Sequence, residues 1–136
     1  MTEAEQGIIG GILIDDSCIK DIYGKLEPKM FSCDFGRTCF NEILVMYDTG
    51  AHISHVELSQ RLESYRIDSS DIKRYLTECI AATPTSALVR GYADTICRDY
   101  KSREVRKVIS DYSLLPVDID DTIASIIARL EEWLLS

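Results

Sequence analysis

The sequence predicts an all-α fold, with a compact body of about five short helices followed by a long two-helix hairpin. Apolar residues recur three and four positions apart along most of the chain, which is the spacing of a helix with one buried face. Two short sequences, Thr2–Glu5 and Ser54–Glu57, have the form of N-terminal capping boxes. No segment shows the sustained alternation that a half-buried strand requires. We therefore expect one domain, residues 1–136, with the body over 1–83 and the hairpin over 84–136.

The first helix follows the capping box at Thr2. Its apolar residues fall at helical spacing and are Ile8, Ile9, Ile12 and Leu13. Gly7, Gly10 and Gly11 interrupt this helix, although each glycine costs a helix interior about 1 kcal/mol relative to alanine. Their order is not that of a phosphate-binding loop. Close approach of another helix is therefore the favoured interpretation of these glycines.

Four further helices complete the predicted body, and capping residues, Gly and Pro set their limits. They are expected over about 18–26, 35–49, 54–65 and 68–82. The second helix ends at Pro28, with Ile19, Ile22, Tyr23 and Leu26 as its apolar positions. Gly50 follows the third helix in the left-handed conformation. Phe31 and Phe35 are expected to fill the core from a loop, and Tyr47 belongs to the apolar face of the third helix.

The chain after Pro84 predicts two longer helices. Helical spacing from Val89 to Tyr112 implies one helix of about 27 residues, roughly 40 Å long at 1.5 Å per residue. Pro116 ends it, and Asp118 or Asp120 caps the last helix. The last helix carries more apolar residues than one hairpin can cover, and such a surplus indicates an interface. The predicted self-association residues are Ile109, Tyr112, Ile123, Ile127, Leu130 and Leu134.

Composition limits the classes of function. The formal net charge is −8, and an acidic chain is poorly matched to a phosphate backbone. The five cysteines are irregularly spaced, with no Cys-x-x-Cys pair, and are expected to be reduced, largely buried thiols of a cytosolic protein. The N-terminus lacks the basic region of a signal peptide, and the longest apolar run is too short to span a membrane. These features predict a cytoplasmic protein that has no membrane partner.

No catalytic, cofactor or metal residues can be assigned from the sequence. The Gly-x-x-x-x-Gly-Lys-Ser/Thr and Gly-x-Gly-x-x-Gly motifs of nucleotide sites are absent. His52 and His55 lack a third ligand at a motif spacing, so they are interpreted as solvated or capping residues. No carboxylate pair accompanies a recognisable nucleophile or base. We therefore expect no enzyme activity, no cofactor and no metal in this chain.

One basic concentration stands out in the acidic chain. It consists of Arg98, Lys101, Arg103, Arg106 and Lys107. One interpretation is a solvated helix face with local ion pairs to Asp99 and Glu104. The other is a contact for an acidic partner surface, or weak steering of DNA. The sequence leaves both interpretations open.

Several short sequence elements follow one another along residues 3–105. They are Ala4-Glu5-Gln6 opening the first helix, Leu13-Ile14-Asp15 at its end, Leu26-Glu27-Pro28-Lys29-Met30-Phe31, Tyr47-Asp48-Thr49-Gly50, Pro84-Thr85-Ser86-Ala87, and Tyr92-Ala93 before a basic stretch. In this order and spacing the chain resembles the N-terminal domain of bacterial replicative DNA helicases of the DnaB type. That family usually has Asp where Ser54 stands, and Ser preserves the capping chemistry.

The resemblance implies a function that the residues alone do not give. It implies a non-catalytic domain that supports assembly of the helicase ring, as a homodimer within a hexamer, and docks the C-terminal domain of primase. DNA would be contacted only indirectly, and ATP and Mg would be bound by a separate ATPase domain, so the chain is expected to be an excised fragment. Two alternatives remain open: a free-standing phage or mobile-element regulator that mimics this domain, and the helicase-binding domain of a primase.

Overall fold

The structure is a computed structural model that describes residues 1–113 and 119–135, without the side chains at 112, 113, 119, 120, 122, 134 and 135. Over these residues the chain is helical and contains no strand. The α-helices are α1 Glu3–Ile14, α2 Asp34–Asp48, α3 His55–Glu63, α4 Ser69–Ala81, α5 Val89–Ser113 and α6 Ile119–Leu135. Three 3-10 helices connect them, at Asp16–Asp21, Pro28–Met30 and Ser86–Leu88. The predicted all-α fold is confirmed.

The chain divides into two compact units, Met1–Cys97 and Arg98–Ser136, and the boundary falls within α5. In the first unit, α1 is buried on nearly every side and packs against α4. Phe31 fills the core as predicted and stacks on Phe40 with ring centroids 4.9 Å apart. The first unit also includes buried residues of α5, so it extends beyond the predicted boundary at residue 83; these residues are Val89, Ala93 and Ile96. That the whole chain forms one domain stays a prediction.

Glu5 does more than complete the capping box. The Glu5 amide donates to Thr2 Oγ1 at 3.2 Å, and the Thr2 amide donates back to Glu5 Oε2 at 2.8 Å, which confirms the predicted box. The same carboxylate, whose residue is only 2% exposed, also accepts the hydroxyl of Ser32 at 2.8 Å and the Ser32 amide. Burial alone would raise the pKa of Glu5, but these hydrogen bonds hold it below its usual value. The buried carboxylate thereby joins the start of α1 to the chain before α2.

The glycines of α1 allow close helix packing, as the sequence predicted. A β-carbon at Gly10 would overlap the backbone carbonyl of Cys79 on α4 and the hydroxyl of Thr83. A β-carbon at Gly7 would overlap the ring of Tyr92. Only residues without a side chain let these elements approach so closely.

The predicted second helix is wrong in type and length. The chain instead forms the 3-10 helix Asp16–Asp21, which is capped by the Asp15 carboxylate accepting from the Ser17 amide at 3.1 Å. Gly24 has φ of +83° and prevents the turn from continuing as an α-helix. Pro28 begins the next 3-10 helix rather than ending the previous one. Ile19, Ile22 and Leu26 are buried as expected, but Tyr23 is 50% exposed.

The limits of the other body helices agree with their predicted signals. Gly50 follows α2 with φ of +75°, and the Asp68 carboxylate accepts from the Ser70 amide at 2.8 Å. The Ser54 hydroxyl accepts from the Glu57 amide at 3.2 Å, which is one of the two bonds of the predicted capping box. Ser54 and Asp68 accept hydrogen bonds from backbone amides that are otherwise unpaired at the start of a helix, and Gly50 lets the chain leave the end of α2. Capping residues in the local sequence therefore predicted the limits of these helices correctly.

The second unit contains the C-terminal part of α5 and the helix α6, which run antiparallel as a hairpin. Asp111 Oδ2 on α5 lies 3.6 Å from Arg129 Nη1 on α6. Earlier residues of α5 lie against later residues of α6, and Val108 is buried. The helix α5 has 25 residues, close to the predicted length. Asp120 lies inside α6 rather than at its cap, whereas Pro116 and Asp118 are outside the described residues.

Candidate interaction surface

Three exposed isoleucines lie in the described part of the second unit. Ile109 on α5 is 53% exposed, and Ile123 and Ile127 on α6 are 50% and 48% exposed. Leu130 is partly buried. The side chains of Tyr112 and Leu134 are outside the described residues, so their assignment to this surface stays a prediction. We call the three isoleucines and Leu130 the hairpin apolar surface.

A groove of about 280 Å³ lies within the same unit. Its lining combines apolar side chains with charged ones and consists of Glu104, Val108, Arg129, Leu130, Glu132 and Trp133. Trp and Arg are the residues that most often dominate binding at protein interfaces. The groove is at the lower limit of a small-molecule site and is large enough to accept one apolar side chain of a partner.

The basic residues at 98–107 of α5 differ in whether neighbouring side chains interact with their charge. Lys107 Nζ lies 4.0 Å from Glu104 Oε1, and the Arg103 guanidinium lies 5.8 Å from the ring centroid of Tyr100. The exposed side chains of Arg98, Lys101 and Arg106 have no ion-pair partner among the described residues. We call residues 98–107 the basic segment. In this segment some basic side chains therefore interact with neighbouring side chains, and others are exposed to solvent.

Tyr23, Tyr47 and Asp48 form a surface site on the first unit that the sequence did not predict. The two tyrosine rings have centroids 4.9 Å apart, and Tyr23 Oη donates to Asp48 Oδ1 at 2.8 Å. This hydrogen bond and the Asp48 charge raise the pKa of Tyr23. We call these residues the aromatic–carboxylate site. The sequence feature that could have indicated this site is Gly24, which breaks the predicted helix beside Tyr23.

The histidines do not build a metal centre in the described parts of the chain. His52 Nδ1 lies 2.8 Å from Asp16 Oδ2, and its side chain is largely exposed. No group of three His, Cys, Asp or Glu side chains suited to a metal occurs among the described residues. Likewise, no described helix has the length and apolar character needed to cross a bilayer.

All five cysteines are free. Burial raises the pKa of the Cys18 thiol to about 11 and that of Cys79 to about 12, and burial raises the pKa of Cys39 as well. Thiols with such pKa values are protonated and unreactive at neutral pH. These three cysteines therefore act as small apolar core residues, as predicted.

Comparisons with known proteins agree with this architecture. The model of the family described as DnaB-like helicase N terminal domain matches residues 1–98. The replicative DNA helicase DnaB of Treponema pallidum is 26% identical over 107 residues, which are 78% of this chain and 24% of that protein. Its counterpart in Buchnera aphidicola is 27% identical over 107 residues, 78% of this chain and 23% of that protein. The chain thus spans about a quarter of the length of these relatives.

A solved structure is similar along almost the whole chain. The crystal structure of the N-terminal domain of DnaB helicase from Mycobacterium tuberculosis superposes with a TM-score of 0.80 at 21% identity, covering 96% of this chain and 95% of that one. This likeness shows the fold, including a helical body and a long helix. The match of the family model over residues 1–98 establishes that the chain belongs to the family of DnaB-like helicase N-terminal domains.

Proposed function

We propose that this chain is the assembly and interaction module of a replicative DNA helicase. Its hairpin associates with the hairpin of a second copy, and the paired domains contribute to a ring and dock the C-terminal domain of primase. ATP hydrolysis and DNA translocation belong to a separate ATPase domain, whereas this chain supplies assembly. Its family membership supports the helicase context over a primase domain.

The observation that carries the proposal is the hairpin apolar surface. Three isoleucines, each about half exposed, lie on the two helices of one small unit. Large aliphatic side chains gain roughly 1.5–3 kcal/mol when fully buried, so covering these surfaces is favourable. A self-complementary contact between two identical hairpins covers them on both copies at once.

Sedimentation velocity across a range of concentrations tests the pairing. The parent chain is expected to dimerise, whereas Ile127→Asp with Leu130→Asp raises the dissociation constant by at least about tenfold, because each carboxylate would be buried without a partner. Val56→Asp is the matched control, since Val56 is 64% exposed on α3 of the first unit. A parent that stays monomeric, or a control that weakens pairing equally, would contradict the proposal.

Primase docking needs its own experiment. Calorimetric titration of the chain with the C-terminal domain of the cognate primase is expected to show saturable binding. The variant with Ile127→Asp and Leu130→Asp shows whether docking depends on pairing. If this variant loses both dimerisation and primase binding, docking requires the paired hairpins. Absence of heat with the parent chain, at concentrations where the dimer is populated, would remove primase docking from the proposal and leave assembly.

A further inference from the structure

The groove of the second unit brings acidic, aromatic and apolar side chains to one volume of about 280 Å³. Its apolar residues are Val108 and Leu130, its aromatic residue is Trp133, and its carboxylates are Glu104 and Glu132. Among aromatic groups, an indole ring attracts a cation most strongly, and a carboxylate accepts hydrogen bonds from one. The groove therefore combines a surface for hydrocarbon with two kinds of group that favour positive charge.

The lining has an excess of negative charge. Its basic residue, Arg129, has Nη1 3.6 Å from Oδ2 of Asp111, which does not line the groove. Glu104 Oε1 is 4.0 Å from Lys107 Nζ, which is a long contact for an ion pair. Glu132 is exposed and has no ion-pair partner among the described residues. A cationic ligand would therefore meet a carboxylate whose charge is not offset within the described part of the chain.

We propose that the groove binds a small molecule that has a guanidinium group on a short hydrocarbon chain. The guanidinium lies against the indole of Trp133 and donates to the carboxylates of Glu104 and Glu132, and the chain contacts Val108 and Leu130. A guanidinium suits this lining better than an ammonium group, because its flat face stacks on an aromatic ring and its fork of donors serves two acceptors. This ligand site is separate from the assembly role proposed above.

Pairing of the hairpins through their isoleucines leaves the groove open. Glu132 follows Ile123 by nine positions, which is about two and a half turns, so these residues are on opposite sides of α6. Arg129 is two positions after Ile127 and is likewise on the side away from the isoleucines. Only Leu130 belongs both to the groove lining and to the hairpin apolar surface.

The surroundings of the groove favour a small molecule over a segment of another protein. A stable protein interface buries upwards of about 1,000 Å² and has an apolar core. The exposed isoleucines that could supply such a core are on the other side of α6, whereas the charged residues Lys107 and Asp111 lie next to the groove and are exposed. The volume of the groove is also near the lower limit of small-molecule sites.

Butylguanidinium is the probe for this site, and butylurea is its uncharged isostere. Trp133 is the single tryptophan of the chain, so its fluorescence reports on the groove, and calorimetry checks the result. We expect saturable binding of butylguanidinium on the order of millimolar, and about tenfold weaker binding of butylurea. Methylguanidinium is also expected to bind about tenfold more weakly than butylguanidinium, because most of the hydrocarbon chain is missing.

Two variants and a matched control connect the binding to the groove. Glu132→Gln is expected to weaken butylguanidinium binding about threefold to fivefold, which is the usual contribution of an exposed ion pair. Adding Glu104→Gln is expected to bring the loss to about tenfold, with no change in the affinity for butylurea. The control is Glu131→Gln, which removes the same charge from an exposed residue of α6 outside the lining and is expected to retain the affinity of the parent.

Three results would overturn the proposal: equal affinity for butylguanidinium and butylurea, equal loss of affinity in Glu131→Gln and Glu132→Gln, and absence of saturation with the parent chain. Tighter binding of an acetyl-Gly-Arg-Gly-amide peptide than of butylguanidinium would overturn the assignment to a small molecule and make the groove a contact for an arginine of another protein. None of these results bears on dimerisation, which sedimentation measures separately.

Discussion

Replacing Gly10 by alanine perturbs the closest helix contact of the first unit. The new β-carbon would overlap the Cys79 carbonyl and the Thr83 hydroxyl, which donates to that carbonyl at 2.8 Å. A backbone carbonyl within α4 cannot rotate away, so α1 and α4 must separate. Overpacking of this kind costs about 3 kcal/mol, the upper end of the usual range, and the higher helix propensity of alanine returns about 1 kcal/mol.

The net expectation is a loss of about 2 kcal/mol from the free energy of unfolding. For a chain of this length that lowers the melting temperature by roughly 6–8 °C. Urea denaturation followed by circular dichroism measures the change. Gly91→Ala is the matched control, because a β-carbon there meets nothing within 4 Å; it is expected to stabilise the chain by about 0.5 kcal/mol. Equal stability of the two variants would refute the close-packing explanation.

Three further predictions concern the core of the first unit. Glu5→Gln is expected to lower the free energy of unfolding by about 1–2 kcal/mol at pH 7. Because folding lowers the pKa of Glu5, the parent loses this contribution as the pH falls below about 4.5. Urea titrations at several pH values should therefore show that the free energy of unfolding depends less on pH in the variant than in the parent. A thiol reagent at pH 8 is expected to label the partly exposed Cys33 before Cys79, whose burial raises its pKa to about 12; mass spectrometry of early digests showing the reverse order would contradict the assigned burial. Phe40→Ala, which removes the ring stacked on Phe31, is expected to cost about 3–5 kcal/mol in the same urea assay, and a cost below 1 kcal/mol would contradict its place in the core.

Features decided by neighbouring residues could be predicted from the sequence. The capping box at Thr2, the caps at Ser54 and Asp68 and the left-handed Gly50 all depend on residues within one helical turn. The close approach at Gly10 was also predictable, because glycines inside an apolar helix have few other uses. The caps and the left-handed Gly50 agree with the structure because the physics that decides them is local, whereas the sequence indicated close packing at Gly10 without indicating that α4 is the partner.

Features decided by distant residues could not be predicted. Tyr23 bonds to Asp48, 25 positions away, and Glu5 bonds to Ser32, 27 positions away. The error over residues 18–26 has the same origin: Ile19, Ile22 and Leu26 fit an α-helical face, but a 3-10 turn followed by Gly24 buries them equally well. Periodicity over so short a segment does not distinguish the two. The aromatic–carboxylate site was missed for this reason.

Hydrogen–deuterium exchange at low and high protein concentration tests the central claim, that a second copy covers the hairpin apolar surface. Amides of α6 around Ile123 and Ile127 are expected to exchange more slowly at high concentration, whereas those of α3 around Val56 are expected not to change. Identical exchange of α6 at both concentrations, in a range where sedimentation detects the dimer, would place the interface elsewhere and contradict pairing through the hairpin apolar surface.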